Sequence, residues 1–189
     1  MSDISIINAC KLVGYDVCFR ASILAYVPVE TITPDKNTIE NVRCMVNRGL
    51  AFIKKYGPIV LDGFTFEGGG YSEVITSGDG DYLTKDVLWD FKVSKGKPSA
   101  HNALQLLIYY VMGLHSKHSE FKQIKQLGIY NPRLNITYLH KIKDINPSMI
   151  EDIAKDIIGY GTKFKDWLQN AQRQGLLINS AYKSIPSFR

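Results

Sequence analysis

A chain of 189 residues with 23 Lys+Arg against 18 Asp+Glu carries a formal net charge of +5. Hydrophobic residues make up 45% and charged residues 22%, so the chain is long and apolar enough for a real core, and a wholly disordered or collagen-like protein is excluded. No apolar run reaches the roughly 18 residues of a membrane span. The N-terminus has no basic region ahead of an apolar stretch, so no signal peptide and a cytoplasmic location are expected.

Residues 1–30 mix apolar and polar positions in a way that suits helix, strand or both. Pro34-Asp35 opens a helix whose apolar stripe is Ile39, Val42, Met45, Val46, Leu50 and Ile53, and Gly57-Pro58 stops it. A β-rich block follows. Runs at 58–66, 71–77, 80–83 and 86–94 are rich in β-branched and aromatic residues and are separated by glycines. Gly68–Gly70 lacks the Lys-Ser/Thr of a phosphate loop and precedes a strand, so it reads as a mobile hairpin tip. Lys95-Gly96-Lys97-Pro98 breaks the pattern, and Ser99 suits the N-cap of a well-buried helix over 100–115. A polar helix is expected from Ser119, ending at Gly128. Strands then surround the turn Asn131-Pro132-Arg133, and Asn146-Pro147 starts a helix over 148–158. A last helix over 162–175 precedes an irregular tail. The order predicts an α/β protein with a sheet flanked by helices. It is read as a single domain over 1–189, with a core at about 36–141 and appendages at 1–35 and 147–175.

Three cysteines (Cys10, Cys18, Cys44) are too few and too scattered for a disulfide framework, an iron–sulfur cluster or a zinc ribbon. His101, His115 and His118 suggest zinc, but no acid or Cys frames His115 and His118, which read as a solvated pair. The charge is uneven. Residues 85–143 carry +7 and the rest −2, which is the footprint of a polyanionic partner.

The chemistry concentrates in 77–110. Alternation along 87–94 places Val87, Trp89, Phe91 and Val93 on one face, which reads as core. Leu88, Asp90, Lys92 and Ser94 fall on the other. If 80–83 and 88–91 form a hairpin around Lys85-Asp86, partners sum to 171 and Asp81 faces Asp90. Like charges in that position repel, and two converging carboxylates are the oxygen set that Mg²⁺ or Mn²⁺ prefers. Lys92 beside them suits a water or a developing phosphate charge. On the next helix His101, Gln105 and Tyr109 share one face, where an imidazole, an amide and a phenol need polar partners.

Gly78-Asp79-Gly80-Asp81, Asp90-Phe91-Lys92 and Gln105-Leu-Leu-Ile-Tyr109, in this order, resemble the motifs of the PD-(D/E)XK nuclease superfamily. The resemblance is strongest to its RecB-type exonuclease branch. It implies a restriction-endonuclease-like core, a central mixed sheet flanked by helices in the order α-β-β-β-α-β, and metal-dependent hydrolysis of DNA. Asp81, Asp90 and the carbonyl of Phe91 would bind Mg²⁺ or Mn²⁺, Lys92 would act on the attacking water, and Gln105 and Tyr109 would orient metal site and strand. Lys95, Lys97 and His101 would add nucleic-acid contacts. The branch often carries a His or Glu on an earlier helix. Glu40 is the choice here, with Glu30, Glu67 and Glu73 as rivals, and Asp79 rivals Asp81. The chain lacks a Pro-Asp before the site and the branch's four-cysteine cluster. Two other readings are an inactive module on the same fold that binds nucleic acid or protein, and an interaction protein indifferent to metal and DNA.

Overall fold

The computed structural model of the protein describes residues 1–20 and 22–161, apart from the side chains of Phe19 and Arg20. The helix expected over 162–175 and the tail lie outside the described residues. The chain divides into two compact units, Met1–Ala51 and Phe52–Arg189.

The first unit opens on α1 (Asp3–Arg20), the segment whose type the sequence left open. Ser2 Oγ accepts the Ser5 N–H at 3.2 Å, and Asp3 places a negative charge in the first turn, both of which favour a helix start. After two 3-10 turns, α2 (Lys36–Tyr56) begins as expected. Asp35 Oδ1 accepts the Thr38 N–H at 2.7 Å. Ile39 is buried, but Leu50 is 61% exposed and does not belong to the buried stripe. The three cysteines are half-buried free thiols.

The second unit takes in the last turn of α2 and then β1 (Ile59–Thr65), β2 (Asp79–Thr84), β3 (Val87–Phe91), α3 (Ala100–His115), β4 (Gln126–Asn131), β5 (Ile136–Lys141) and α4 (Pro147–Asp152). The strands form one mixed sheet in the order β1-β2-β3-β4-β5. Only β3 and β4 are parallel, and α3 supplies the crossover that a parallel pair needs. Ser99 caps α3 with a full capping box to Asn102, and Asn146 Oδ1 caps α4 through the Ser148 N–H.

β3 lies at the centre of the sheet and is covered on both faces. On one side Leu88 joins Leu83, Leu106, Val111 and Ile129 in the main core. On the other, Trp89 and Val87 pack with Phe52 and Tyr130. Trp89 is fully buried, as its position on the apolar face predicts, and its Nε1–H donates to Thr84 Oγ1 at 3.0 Å. Among the described residues no helix is long and apolar enough to cross a membrane.

Three segments differ from the expectations. Residues 71–77 form no strand. Ser72 Oγ accepts the N–H groups of Val74 and Ile75, and this local turn competes with ladder formation. The polar helix from Ser119 is only a 3-10 turn, Ser119–Gln123, after which the chain enters β4. Gly128 is therefore no helix terminator. It sits inside β4, where a Cβ would lie 2.4 Å from the Trp89 ring. Gly68–Gly70 lies in the connection between the antiparallel β1 and β2, closely packed against the C-terminal end of α3. A Cβ on Gly70 would lie 2.5 Å from the Met112 carbonyl, and one on Gly69 would lie 2.7 Å from that of His115.

Candidate active site

Asp90 enters the second unit near the end of β3, on the side of the sheet that Leu88 shares with α3. Tyr82 pairs with Trp89 and Leu83 with Leu88, which is the register expected from the sequence. The paired ladder ends there, one position short of Asp81 and Asp90, whose charges are close enough to interact. Here the side chains take over from the backbone. Asp81 Oδ2 accepts the Phe91 N–H at 2.7 Å.

Asp90 is 7% exposed. Its Oδ1 meets Lys92 Nζ at 3.0 Å, and its Oδ2 is buried without a hydrogen-bond partner among the described residues. Burial pushes the carboxyl pKa above its ordinary 3.8. The Lys92 ammonium opposes that rise by hydrogen bond and charge, and the Asp81 carboxylate adds to it. A buried oxygen of this kind is unfavourable unless it finds a donor or a cation.

On α3, Gln105 Nε2–H donates to Tyr109 OH at 3.0 Å, so the amide and the phenol satisfy each other. The Tyr109 ring packs on Phe66 with centroids 5.1 Å apart, and it borders Gly78, at the start of the segment that delivers Asp81. The Tyr71 hydroxyl donates to the Gly78 carbonyl at 2.7 Å and holds that segment. Asp79 lies at the exposed start of β2 opposite Thr65. Lys95 and Lys97 are exposed on the loop after β3, and His101 is exposed on the first turn of α3.

Glu40 belongs to the first unit, where it pairs with Arg43 at 3.2 Å. Glu67 is held by Lys117 at 2.6 Å, which lowers its pKa. Glu30 and Glu73 are exposed. Among the described residues no group of three or more His, Cys, Asp or Glu side chains is arranged to hold a metal. The oxygen donors at the ladder end are thus the two aspartates and neighbouring backbone carbonyls. This set still suits a hard divalent cation that keeps several waters, and the orphaned Asp90 Oδ2 is the atom such a cation would satisfy.

His115 and His118 are not a solvated pair. The His115 ring packs tilted against Tyr160 with centroids 4.5 Å apart, and burial lowers its pKa. His118 Nε2 lies 3.1 Å from the Thr65 carbonyl. A pocket of about 540 Å³ opens between α3, β4–β5 and α4, lined mainly by apolar side chains such as Leu104, Leu107, Met149 and Ile153, and neither aspartate lines it.

Asn131, which the sequence places in a turn, and Ser94, on the polar face of 87–94, are bonded to each other across two loops. Asn131 is a buried amide at the end of β4, and it bonds to both the oxygen atoms of Ser94 on the loop after β3. The sequence signal for Asn131 was the dipeptide Asn131-Pro132, which reads as a turn. No family model matches the chain, and comparison with curated proteins and with solved structures finds no significant match.

Proposed function

We propose that the protein is a Mg²⁺- or Mn²⁺-dependent nuclease of the PD-(D/E)XK type that hydrolyses phosphodiester bonds in DNA. The observation that carries this reading is the buried Asp90 carboxylate, with one oxygen on Lys92 and the other without a partner among the described residues, within reach of the Asp81 charge just past the last ladder pair. The order α2-β1-β2-β3-α3-β4, the strand pairing and the Gln105–Tyr109 bond are in keeping with the motif resemblance.

In this reading Asp81, Asp90 and the Phe91 carbonyl hold the cation. When bound, it would polarise a phosphate oxygen and make a bound water more acidic. Lys92 places a fixed positive charge 3.0 Å from Asp90 Oδ1, where it steadies a water or the negative charge growing on the phosphate. The Asp81 bond to the Phe91 N–H keeps the end of β3 in place. Lys95, Lys97 and the basic excess of 85–143 attract the phosphate backbone.

Incubating the chain with single- and double-stranded DNA and Mn²⁺ or Mg²⁺ tests this. Cleavage is expected, and Lys92→Ala should abolish it. A folded wild type inactive on every DNA and RNA form would overturn the reading. A second reading, a module that binds DNA without cutting it, is favoured by the absence of a third acidic ligand among the described residues. Salt-sensitive binding that survives Asp90→Asn, without turnover, would select it.

A further inference from the structure

β3 and β4 run parallel, so their carboxyl ends leave the sheet on the same side. In open α/β sheets that side is where ligands gather. The loop after β3 carries Lys92, Lys95 and Lys97. The turn after β4 carries Arg133. Asn131, 1% exposed, joins the two.

Every polar atom of its side chain is engaged. Nδ2 donates to Ser94 O at 2.9 Å and to Ser94 Oγ at 3.1 Å. Oδ1 accepts the N–H groups of Arg133 at 3.0 Å and Leu134 at 3.2 Å. Ser94 carries the constraint along its own loop, with Oγ–H donating to Gly96 O at 2.8 Å and N–H donating to Lys92 O at 3.1 Å. Lys92 N–H is itself fixed to Tyr130 O at 3.0 Å. One buried amide therefore orders the backbone from Lys92 to Gly96 and ties it to the β4–β5 turn.

We infer that Asn131 is a positioning residue that clamps the Lys92–Lys97 loop against the β4–β5 turn and so sets the cationic rim that holds DNA phosphates beside Asp90 and Lys92. The inference rests on the proposed nuclease reading for its ligand, and on the hydrogen bonds alone for the clamp.

Asn131→Asp separates the two halves of this side chain. It keeps the acceptor for Arg133 and Leu134, and hence the turn, and it removes the donor to Ser94. Ser94→Ala is the milder companion, because the Ser94 carbonyl remains as acceptor. Three readouts are taken on the full chain: thermal melting, tryptic cutting at Lys95–Gly96, and the binding of a fluorescent single-stranded 20-mer over a salt series without divalent metal.

Asn131→Asp sets a buried carboxylate oxygen against Ser94 O and should melt below the wild type; at a temperature where both are folded it should be cut at Lys95 at least about tenfold faster, bind the 20-mer roughly tenfold more weakly, and lose about 1.4 from its log–log salt slope, the share of two phosphate contacts. Ser94→Ala, which adds no charge, should move cutting and binding the same way by less, and its failure to do so would assign the Asp effect to charge and overturn the clamp. An Asn131→Asp variant cut and bound like the wild type would overturn the clamp. A wild type that binds no DNA at any salt would instead remove the nuclease reading, and this role with it.

Discussion

Asp81 and Asp90 lie close enough to interact just past the last β2–β3 ladder pair, yet they are used differently. Asp81 accepts the Phe91 N–H at 2.7 Å, whereas Asp90 is buried with one oxygen on Lys92 and the other without a partner among the described residues. The pair is thus half built into the backbone and half left open. Asp81 behaves as part of the strand, and Asp90 carries the electrostatic cost of the site.

That cost is measurable as pH-dependent stability. The folded-state pKa of Asp90 lies above the ordinary 3.8, so the native state retains a proton that the unfolded chain has lost. The stability contributed by this group is complete below pH 3.8 and is lost as pH rises through the folded-state pKa. Asn in its place escapes that loss. Asp90→Asn should stabilise the metal-free protein at pH 7 by about 1 kcal/mol, or ~2–4 °C in melting temperature, and the advantage should vanish near pH 3.5. Melts in EDTA across this range check it, and a variant less stable at pH 7 than at pH 3.5, relative to wild type, would refute it.

Lys92→Ala should move stability the opposite way. It strips the Lys92 cation from a buried carboxylate, which destabilises by about 2 kcal/mol at pH 7, below the value for fully buried pairs because Lys92 is 29% exposed. The loss should shrink at pH 4 and below, where Asp90 takes up a proton. Urea unfolding at the two pH values measures it.

Tyr109→Phe removes the hydroxyl that accepts from Gln105 and keeps the ring on Phe66. Stability should change by less than about 1 kcal/mol. DNA cleavage should fall about tenfold or more if the pair orients substrate. Parallel melts and cleavage assays separate the two effects, and full activity in the variant would restrict Tyr109 to packing.

Two glycines should respond to Ala with opposite signs. At Gly128 a Cβ meets the Trp89 ring at 2.4 Å, and that ring is wedged by Phe52 and Tyr56 at 4.7 and 5.1 Å. Gly128→Ala should destabilise by about 3 kcal/mol. At Gly49, inside α2, a Cβ meets nothing within 4 Å, so Gly49→Ala should stabilise by up to about 1 kcal/mol. Urea midpoints at unchanged slope test both.

Gly128 shows why part of the fold was legible and part was not. The Tyr82–Trp89 and Leu83–Leu88 pairs follow from counting back from the 85–86 connection, and this register brings the two carboxylates to the same end of the strands. Ser99 and Asn146 could be read as caps because capping chemistry is local. Gly128 could not be placed, since a helix stop and a residue lying under a tryptophan look alike until the ring is located. The 71–77 run failed for a related reason. Its β-branched residues suit a strand, but Ser72 bonds its own neighbours first. Asn131 was hidden because its partner, Ser94, lies on another loop, and Glu40 attracted attention only through the motif resemblance.

β3 has a hydrogen-bonded strand on either side and a packed layer on each face. Such a strand does not fray by itself. Its amides should exchange with solvent only when the second unit opens as a whole, and the Asp90 carboxylate should be exposed in the same event. Partial unfolding therefore offers no route by which Asp90 is lost while the rest of the unit stands. The charge and the fold are present together or absent together.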